Sequence, residues 1–546
     1  MLGRVVALSI ALVLPAAHAG QRLSLRHVAL DLPGPPAKVI SSDVNQDGRR
    51  DLVIVSTYTE VETIGEERME HLISVATAIP ALFNRREVRL YLAQPDGTHA
   101  LAGPPLSLAA SVLHLEAGPP GLPLVALTDE GLSRCVHAPD GGESPLRLEP
   151  LIAERPVLRG SGAFFATLSL VHELNGDGIA DLLLPAEDSL AVYLGTGSGL
   201  SPAPAERIAM NESELPASNG IRRSYPMPEV IEFDGDRVPD LAFPFRDDSP
   251  APRHVLLGSR EGRFRTLRRE ARDCHDRLTD VRMQQVAAGA APWPENLVAL
   301  EDIDGDGRAE AVFAESLGRG EGFRAGMKDA KKPIGRYRFH ELAQDGSIQP
   351  EPYFTTQVIG HVFAGPLGEA PFESQSFVDL DGDGRKDLVT LTLDFSVFQA
   401  LKILVAKRIG IEVNFHVYAQ HADGSFAEVP GLDLAEKLKL DLNQLELRRC
   451  AQFAGDFDGD GRQDCAHFGR GRRLTLHAGQ PGCRYPKKPD LSIALDEQPA
   501  SLDLIKVADL DGDGRSDLQI TRLLPHSDPD TSPAVRLDLY LSGAAK

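Results

Sequence analysis

The sequence predicts an all-β chain built from repeated four-stranded units, and three observations support this. An acidic turn followed at once by an apolar, β-type run recurs seven times along the 546 residues. Further short apolar runs, separated by glycine-containing turns, follow each recurrence. The chain holds 50 Gly and 40 Pro, enough for many turns. Its length favours several domains or one repeat architecture, because a single compact core rarely grows to this size.

The acidic turn has a fixed spacing: position one is an acid, position three is Asp or Asn, position five is Asp, and position nine is a further acid. Its copies begin at Asp43, Glu173, Glu232, Asp302, Asp379, Asp456 and Asp509, so the starts lie 130, 59, 70, 77, 77 and 53 residues apart. The first interval is about twice the others. Inside it, Leu113–Leu127 has the same strand, turn, strand outline without acids in the turn. Counting this degenerate copy gives eight units.

Each unit has the strand pattern of one β-propeller blade. A short apolar strand leads into the acidic turn and a second leaves it, as in Asp387-Leu388-Val389. Third strands are predicted at Val192-Tyr193-Leu194, His254 to Leu257 and His416 to Tyr418, and short fourth segments at Gly262-Arg263-Phe264 and Gly424-Ser425-Phe426. Blades repeated around an axis leave few exposed sheet edges. We therefore predict an eight-bladed propeller, with seven blades as the rival if Leu113–Leu127 is only an insertion.

The two ends of the chain are expected to close this ring. The last unit ends after its third strand, Val535 to Leu541, and so lacks an outer strand. Leu23 to Leu32 precedes the first acidic turn and has no other predicted partner. We expect this segment to supply the missing strand, so that residues 20–546 form a single propeller domain.

The acidic turns predict metal sites. Carboxylates at positions one, three and five of a tight turn point oxygens into one small space, where they repel one another unless a hard cation is bound. Gly at position six permits the turn, position seven offers a backbone carbonyl, and the acid at position nine completes an oxygen cage. Oxygen ligands without His or Cys favour Ca²⁺ over zinc. The predicted ligands, at positions one, three, five, seven and nine of up to seven calcium sites, are Asp43, Asn45, Asp47, Arg49, Asp51, Glu173, Asn175, Asp177, Ile179, Asp181, Glu232, Asp234, Asp236, Val238, Asp240, Asp302, Asp304, Asp306, Arg308, Glu310, Asp379, Asp381, Asp383, Arg385, Asp387, Asp456, Asp458, Asp460, Arg462, Asp464, Asp509, Asp511, Asp513, Arg515 and Asp517.

The net charge supports the same interpretation. Lys and Arg number 57 against 79 Asp and Glu, for a net charge of −22. Three acids in each of the first two turns and four in each of the other five make 26, which leaves 53 acids outside the turns against the 57 basic residues. The acidity therefore belongs to the predicted metal sites. The same balance argues against a nucleic-acid partner, which needs a basic surface.

The turns resemble the calcium loops of FG-GAP/VCBS repeats, the blades of the integrin α N-terminal propeller. EF-hand and dockerin loops share the first six positions, but a helix follows those loops, whereas β-type residues follow position nine here. The resemblance covers nearly the whole chain after the first segment and implies the same ligands at the matching positions. Three residues depart from the pattern: Arg237 replaces the turn Gly, and Glu173 and Glu232 replace the first Asp.

The first 19 residues are expected to be a cleaved secretory signal peptide. Arg4 supplies a positive charge, Val5 to Leu14 an apolar core, and Ala17-His18-Ala19 a small-x-small cleavage site. The apolar run is too short to span a bilayer, which takes about 20 residues. The best later candidate, Phe395 to Phe415, is interrupted by three basic residues. We expect a secreted, periplasmic or cell-surface protein without a transmembrane segment.

Insertions and cysteines add two smaller expectations. The units that begin at Asp43, Asp302 and Asp379 carry long insertions between their second and third strands, and Glu66 to Phe83 and Phe398 to Val405 have helical periodicity. The insertions fit lids over one propeller face, or a docking surface for a partner or membrane. A disulfide between Cys465 and Cys483 is left open.

Two function classes fit the sequence. The first is a binding, adhesion or protein-interaction module with an unidentified protein or glycan ligand and structural calcium. The second is an extracellular carbohydrate-active enzyme resembling a polysaccharide lyase, or a lectin, on the same scaffold. A sugar site usually has aromatic platforms, and the chain has one Trp and nine Tyr. We therefore favour the binding module.

Overall fold

The computed structural model describes residues 23–58, 85–138, 144–156, 168–187, 189–209, 227–244, 252–266, 296–317, 333–343, 348–360, 376–394, 408–441, 451–469, 472–495, 505–523 and 535–544. Within these ranges the chain forms β-strands and no helix. The expected signal peptide and both predicted helical insertions lie outside the described residues. No described helix is long and apolar enough to cross a membrane.

The strands are short and follow one another closely along the chain. In the first half they are β1 (Leu23–Leu32), β2 (Pro36–Ser42), β3 (Asp51–Tyr58), β4 (Arg85–Ala93), β5 (His99–Leu101), β6 (Leu106–Ser107), β7 (Val112–Ala117), β8 (Leu124–Thr128), β9 (Gly131–His137), β10 (Leu146–Ile152), β11 (Val171–His172), β12 (Asp181–Pro185), β13 (Ser189–Tyr193), β14 (Gly195–Thr196), β15 (Gly199–Leu200), β16 (Glu206–Ala209), β17 (Glu229–Ile231) and β18 (Asp240–Pro244). In the second half they are β19 (Pro252–Leu257), β20 (Arg265–Thr266), β21 (Asn296–Glu301), β22 (Glu310–Leu317), β23 (Ile334–Glu341), β24 (Phe354–Ile359), β25 (Phe377–Val378), β26 (Asp387–Asp394), β27 (Arg408–Tyr418), β28 (Leu432–Asp441), β29 (Ala451–Gly455), β30 (Asp464–Gly469), β31 (Arg473–His477), β32 (Leu491–Ala494), β33 (Ile505–Ala508), β34 (Asp517–Leu523) and β35 (Val535–Ala544).

Eight antiparallel sheets of four or five strands form the blades of a β-propeller, which confirms the predicted fold and blade number, and β14 and β15 form a separate two-stranded sheet. The blades, numbered 1 to 8, are β2-β3-β4-β5 with β6 also paired to β4, β7-β8-β9-β10, β11-β12-β13-β16, β17-β18-β19-β20, β21-β22-β23-β24, β25-β26-β27-β28, β29-β30-β31-β32 and β33-β34-β35-β1. The degenerate copy Leu113–Leu127 forms the first two strands of blade 2. It is therefore a blade and not an insertion.

Blade 8 combines strands from both ends of the chain. Strand β1 pairs antiparallel with β35, with Leu23 opposite Ala544 and Leu32 opposite Val535. The carboxylate of Asp538 on β35 is fully buried and pairs with Arg522 on β34 and, at 2.9 Å, with Nε2 of His27 on β1. The pairing expected for Leu23 to Leu32 is thus observed.

The hydrophobic core lies between neighbouring blades. Leu113 of blade 2, Leu182 of blade 3 and Leu241 of blade 4 belong to one buried cluster. Another cluster joins Ile54 of blade 1 to Leu539 of blade 8. Because both faces of a blade are covered, second strands such as β3 and β12 are continuous, buried apolar runs instead of alternating ones.

In two blades the fourth strand begins further along the chain than predicted. Phe264 is buried in the core of blades 2 to 4, and the fourth strand β20 begins only after it. Phe426 stacks on Phe339 of blade 5, with ring centroids 5.4 Å apart, and β28 begins at Leu432. Each predicted segment therefore ends in a phenylalanine that packs against an adjacent blade, and the fourth strand begins after this phenylalanine.

The disulfide left open between Cys465 and Cys483 is absent among the described residues, where neither cysteine is disulfide-bonded. Both side chains are buried in one cluster between blades 6 and 7. Both side chains fill space in that core, and the Cys483 thiol also hydrogen-bonds to Asp387.

Candidate metal centres

Seven acidic loops connect the first and second strands of every blade except blade 2. Each loop ends at position nine, which is also the first residue of the second strand, as Asp51 begins β3 and Asp517 begins β34. No helix follows any of these loops in the described structure. This arrangement confirms the strand–loop–strand context predicted from the sequence.

Two positions in each loop adopt left-handed backbone conformations. Position six does so as expected, with φ of 87° at Gly384, and Arg237 adopts φ of 65° in the loop that lacks this glycine. Position four does so as well, which the sequence analysis did not identify: Gly382 has φ of 75° and Gln46 has φ of 59°. L-residues other than glycine adopt this region at a cost of about 1 kcal/mol. The loops at Asp43 and Glu232 therefore each hold one strained residue.

The acid at position one organises the turn. Oδ1 of Asp379 accepts hydrogen bonds from the N–H groups of Gly382 at 2.7 Å and Asp383 at 3.2 Å, and its Oδ2 accepts one from Gly384 at 2.9 Å. Asp43, Asp302, Asp456 and Asp509 make the same kind of contacts. The longer Glu232 accepts hydrogen bonds from the N–H groups of Gly235, at 2.8 Å, and Arg237.

The acid at position nine is the most buried acid of each loop, with 3% or less of its surface exposed. One of its oxygens accepts a hydrogen bond from the N–H of the residue at position two. For Asp464 this donor is the N–H of Phe457, at 2.8 Å. In six loops the other oxygen accepts an N–H near the end of the third strand, for example Gly479 at 2.8 Å for Asp464. The other third-strand donors are Ala93, Gly195, Gly258, Gln420 and Ser542. Position nine thus ties the loop to the blade, a role that the sequence did not reveal.

Burial raises the pKa of these position-nine carboxyls, backbone N–H donors oppose the shift, and the neighbouring carboxylates add to it. The resulting pKa values are about 6 for Asp181 and Asp387, about 7 for Asp240, Asp464 and Asp517, and about 8 for Glu310. Without a cation, these sites therefore resist full ionisation near neutral pH.

Five of the seven loops bring carboxylate oxygens close enough to hold a metal ion, since one oxygen from each member lies within 4.8 Å of the others. The groups are Glu232, Asp234 and Asp240; Asp302, Asp304, Asp306 and Glu310; Asp379, Asp381 and Asp387; Asp456, Asp458 and Asp460; and Asp509, Asp511 and Asp517. The donors are all carboxylate oxygens, the ligands that hard divalent cations take. In the described structure Oδ1 of Asp381 is also buried without a hydrogen-bond partner. The residues present therefore fit a bound cation.

The loops at Asp43 and Glu173 do not form such a carboxylate group within the described residues. Each has Asn at position three, and its side-chain amide donates to the position-five carboxylate. Asn45 reaches Asp47 at 2.9 Å, and Asn175 reaches Asp177 at 3.1 Å. The predicted ligands of these two loops remain predictions.

The arginine at position seven makes a side-chain contact that the sequence analysis missed. Arg49, Arg385 and Arg462 each pair with the carboxylate at position five of their own loop. Arg462 also donates from Nε to the carbonyl of Gly479, at 3.0 Å. The expectation from the sequence concerned only the backbone carbonyl of this position. The guanidinium thus supplies a fixed positive charge beside the carboxylates.

Loops of neighbouring blades touch one another. The N–H of Lys386 donates to Ile303 O at 2.9 Å, that of Gln463 to Leu380 O at 2.9 Å, and that of Ser516 to Asp456 O at 2.7 Å. The position-four glycines lie against the loop of the next blade. At Gly305, for example, any side chain would collide with that loop, because its Cβ would stand only 2.4 Å from Gly384 O. The acidic loops therefore form a belt that joins successive blades.

Blade 2 continues this belt without acids. Ser42 of blade 1 donates its hydroxyl to Pro123 O in the degenerate turn, at 2.7 Å. Nearby, Lys38 Nζ lies 3.2 Å from Nε2 of the fully buried His114 and 3.5 Å from Oε2 of Glu116. Glu116 also accepts the N–H of Leu170, at 2.8 Å, so this ion-pair network links blades 1, 2 and 3.

Comparisons with known proteins return no family model and no curated protein that matches this sequence. Among solved structures, a chain of the Photorhabdus luminescens Tc holotoxin pore aligns at 13% identity and a TM-score of 0.27, over 96% of this chain and 20% of that chain. This chain therefore spans about a fifth of the toxin chain. The periplasmic gluconolactonase PpgL of Pseudomonas aeruginosa aligns at 11% identity and a TM-score of 0.22, over 83% of this chain and 84% of that chain. Similarity at these levels does not extend to activity.

Proposed function

We propose that this chain is a calcium-binding β-propeller of the FG-GAP/VCBS kind, which acts outside the cytoplasm as a binding or adhesion module. The observation that carries the proposal is the belt of acidic loops. Five loops gather three or four carboxylate oxygens within 4.8 Å, and loops of successive blades bond to one another. Calcium in such a belt is structural, because it strengthens contacts between blades.

Electrostatics favour an ion in each loop. Two ionised carboxylates about 4 Å apart repel by roughly 4 kcal/mol at an effective dielectric constant near 20. A divalent cation turns this repulsion into attraction, and binding to the folded state alone stabilises it by about 2.7 kcal/mol at a hundredfold excess over Kd. Several such ions would contribute substantially to the stability of the propeller.

Calcium suits these sites better than magnesium or zinc. The clustered donors are carboxylates, without His or Cys, and zinc sites usually include one or both. Magnesium prefers near-ideal octahedral geometry and keeps several waters, whereas calcium accepts irregular cages of six to eight oxygens. Extracellular calcium modules bind with Kd of about 0.1 to 1 mM. The expected signal peptide would place the chain where calcium reaches this range.

Two experiments test the proposal. Metal-stripped full-length chain is titrated with calcium and with magnesium by calorimetry, and calcium is expected to bind several sites while magnesium binds weakly.

The calcium-loaded chain is then applied to an array of polysaccharides and extracellular matrix proteins, with and without chelator. Calcium-dependent retention without release of cleaved product supports a binding module. Cleavage of an arrayed glycan would show an enzyme instead, and no heat of calcium binding would refute the metal assignment.

A further inference from the structure

The loop from Asp302 to Glu310 differs from the other six in its acid at position nine. It is the only one of the seven loops with Glu there, and its group is the only one with four carboxylates among the described residues. Asp302, Asp304, Asp306 and Glu310 each place one oxygen within 4.8 Å of the others. This loop therefore concentrates the most negative charge around one point.

Glu310 keeps one oxygen free of the blade. Its Oε2 accepts the N–H of Ile303 at 2.6 Å, as position nine does in every loop. In the other six loops the second oxygen accepts an N–H near the end of the third strand, whereas no described donor reaches Oε1 of Glu310. The side chain is only 3% exposed. This oxygen therefore has no hydrogen-bond donor among the described residues and is available as a cation ligand.

The arginine of this loop leaves its carboxylates unpaired. Arg308 stands at position seven, but in the described structure no ion pair joins it to Asp306. Its side chain crosses to blade 4, where a Cβ added at Gly235 would stand 2.7 Å from Arg308 Cγ. By contrast, Arg385 and Arg462 pair with Asp383 and Asp460 in the next two loops.

Two further side chains lie beside the group. Glu341 on β23 is the direct cross-strand partner of Glu310, which adds a fifth carboxylate to the neighbourhood. Tyr353, beside the start of β24, is influenced by the charges of Glu310, Asp304 and Glu341, and its N–H bonds to Phe339 O at 2.9 Å. This phenol therefore sits within electrostatic range of one loop and can report on it.

We propose that the Asp302–Glu310 loop is the tightest cation site of the belt, and that Glu310 is the residue that sets its affinity. Affinity for calcium rises with the number and charge of oxygen ligands in a rigid site. This loop offers four carboxylates, one of them with an uncommitted oxygen, and no arginine that neutralises them. The inference rests on the proposed calcium function and adds an order of filling to it.

Equilibrium dialysis of the metal-stripped full-length chain against buffered calcium tests the order of filling. The first equivalent of calcium is expected to bind at a free concentration at least about tenfold below that of the next ones. The Glu310→Gln variant should lose this early equivalent and keep the later ones. The matched variant Asp464→Asn, at position nine of another loop, should keep the early equivalent. Equal effects of the two variants on the early equivalent would overturn the proposal.

Terbium luminescence locates the first ion independently of the Glu310 variant. Terbium emits when a nearby tyrosine is excited, so emission at the first equivalent should vanish in Tyr353→Phe. Tyr485, whose hydroxyl donates to Gln463 O beside the loop at Asp456, serves as the matched position. Tyr485→Phe should remove emission only at later equivalents, and the reverse order would overturn the proposal. A chain that binds no calcium refutes the proposed function itself, whereas calcium bound in another order refutes this inference alone.

Discussion

The N–H of Gly482 donates a hydrogen bond of 2.7 Å to Oδ2 of Asp381, so a turn of blade 7 reaches a candidate ligand in the loop of blade 6. The thiol of Cys483, the next residue, bonds to Asp387 of the same loop. Carboxylates that would hold one ion are thus also contacts between blades. An ion bound in the loop at Asp379 would fix both blades relative to each other.

Replacing Asp381 by Asn tests this double role. We expect the variant to bind one calcium ion fewer than the unchanged chain and to melt at a lower temperature, because the loop loses a charged ligand. Other loops should stay filled, since repeat contacts run mainly between neighbours. Elemental analysis and thermal unfolding measure both effects. Asp423→Asn, an exposed turn residue outside the acidic loops, is the control and should change neither.

Close packing between loops predicts a difference between two glycines of one turn. Gly382 and Gly384 have φ of 75° and 87°, so alanine at either position is strained by about 1 kcal/mol. A Cβ at Gly382 would also stand 2.5 Å from Gly461 O in the next loop, whereas nothing lies within 4 Å of one at Gly384. Gly382→Ala should therefore lower the melting temperature clearly more than Gly384→Ala does. Equal losses would contradict the loop-to-loop contact.

Closure of the ring depends on Asp538. Its buried carboxylate pairs with Arg522, which is 3% exposed, and with His27 of the opposite chain end. Replacing one partner of a buried pair strands the other charge and costs about 3 to 5 kcal/mol. Asp538→Asn should therefore lower the denaturant midpoint strongly, while the exposed Asp31→Asn on β1 should leave it nearly unchanged. Similar midpoints for the two variants would rule out this role.

Stability of the metal-free chain should increase on mild acidification. Burial raises the pKa of Asp240, Asp464 and Asp517 to about 7, above the unfolded value near 3.9. The folded state therefore binds protons more readily than the unfolded state does. The stability that these groups contribute is fully present below about pH 4 and is lost as the pH rises towards 7. In chelator, the melting temperature should rise from pH 8 to pH 5.5. In saturating calcium it should fall over the same range, because protons compete with the ion.

Much of the fold follows from sequence periodicity. The fixed spacing of the acidic turns locates the first two strands of seven blades, and the outline of Leu113–Leu127 locates those of the eighth. The pairing of Leu23–Leu32 with the last strand follows from counting strands per blade. These features depend on local patterns that recur, which a single sequence displays.

Contacts between elements were not predictable in the same way. The third-strand donors to Asp464 and its counterparts lie 14 to 42 residues from the acid, at distances along the chain that differ from blade to blade. The pairing of Arg462 with Asp460 required side-chain positions that the spacing leaves open. Phe264 and Phe426 delay the fourth strands because they pack against adjacent blades, and nothing in their local sequence specifies that.

The measurement that tests calcium binding most directly is the calcium content of the purified full-length chain, together with its melting temperature before and after chelation. We expect at least five calcium ions per chain, one for each carboxylate group. Chelation should lower the melting temperature markedly, calcium should restore it, and magnesium should restore it poorly. A chain that contains no calcium and melts at the same temperature with and without chelator would contradict the account.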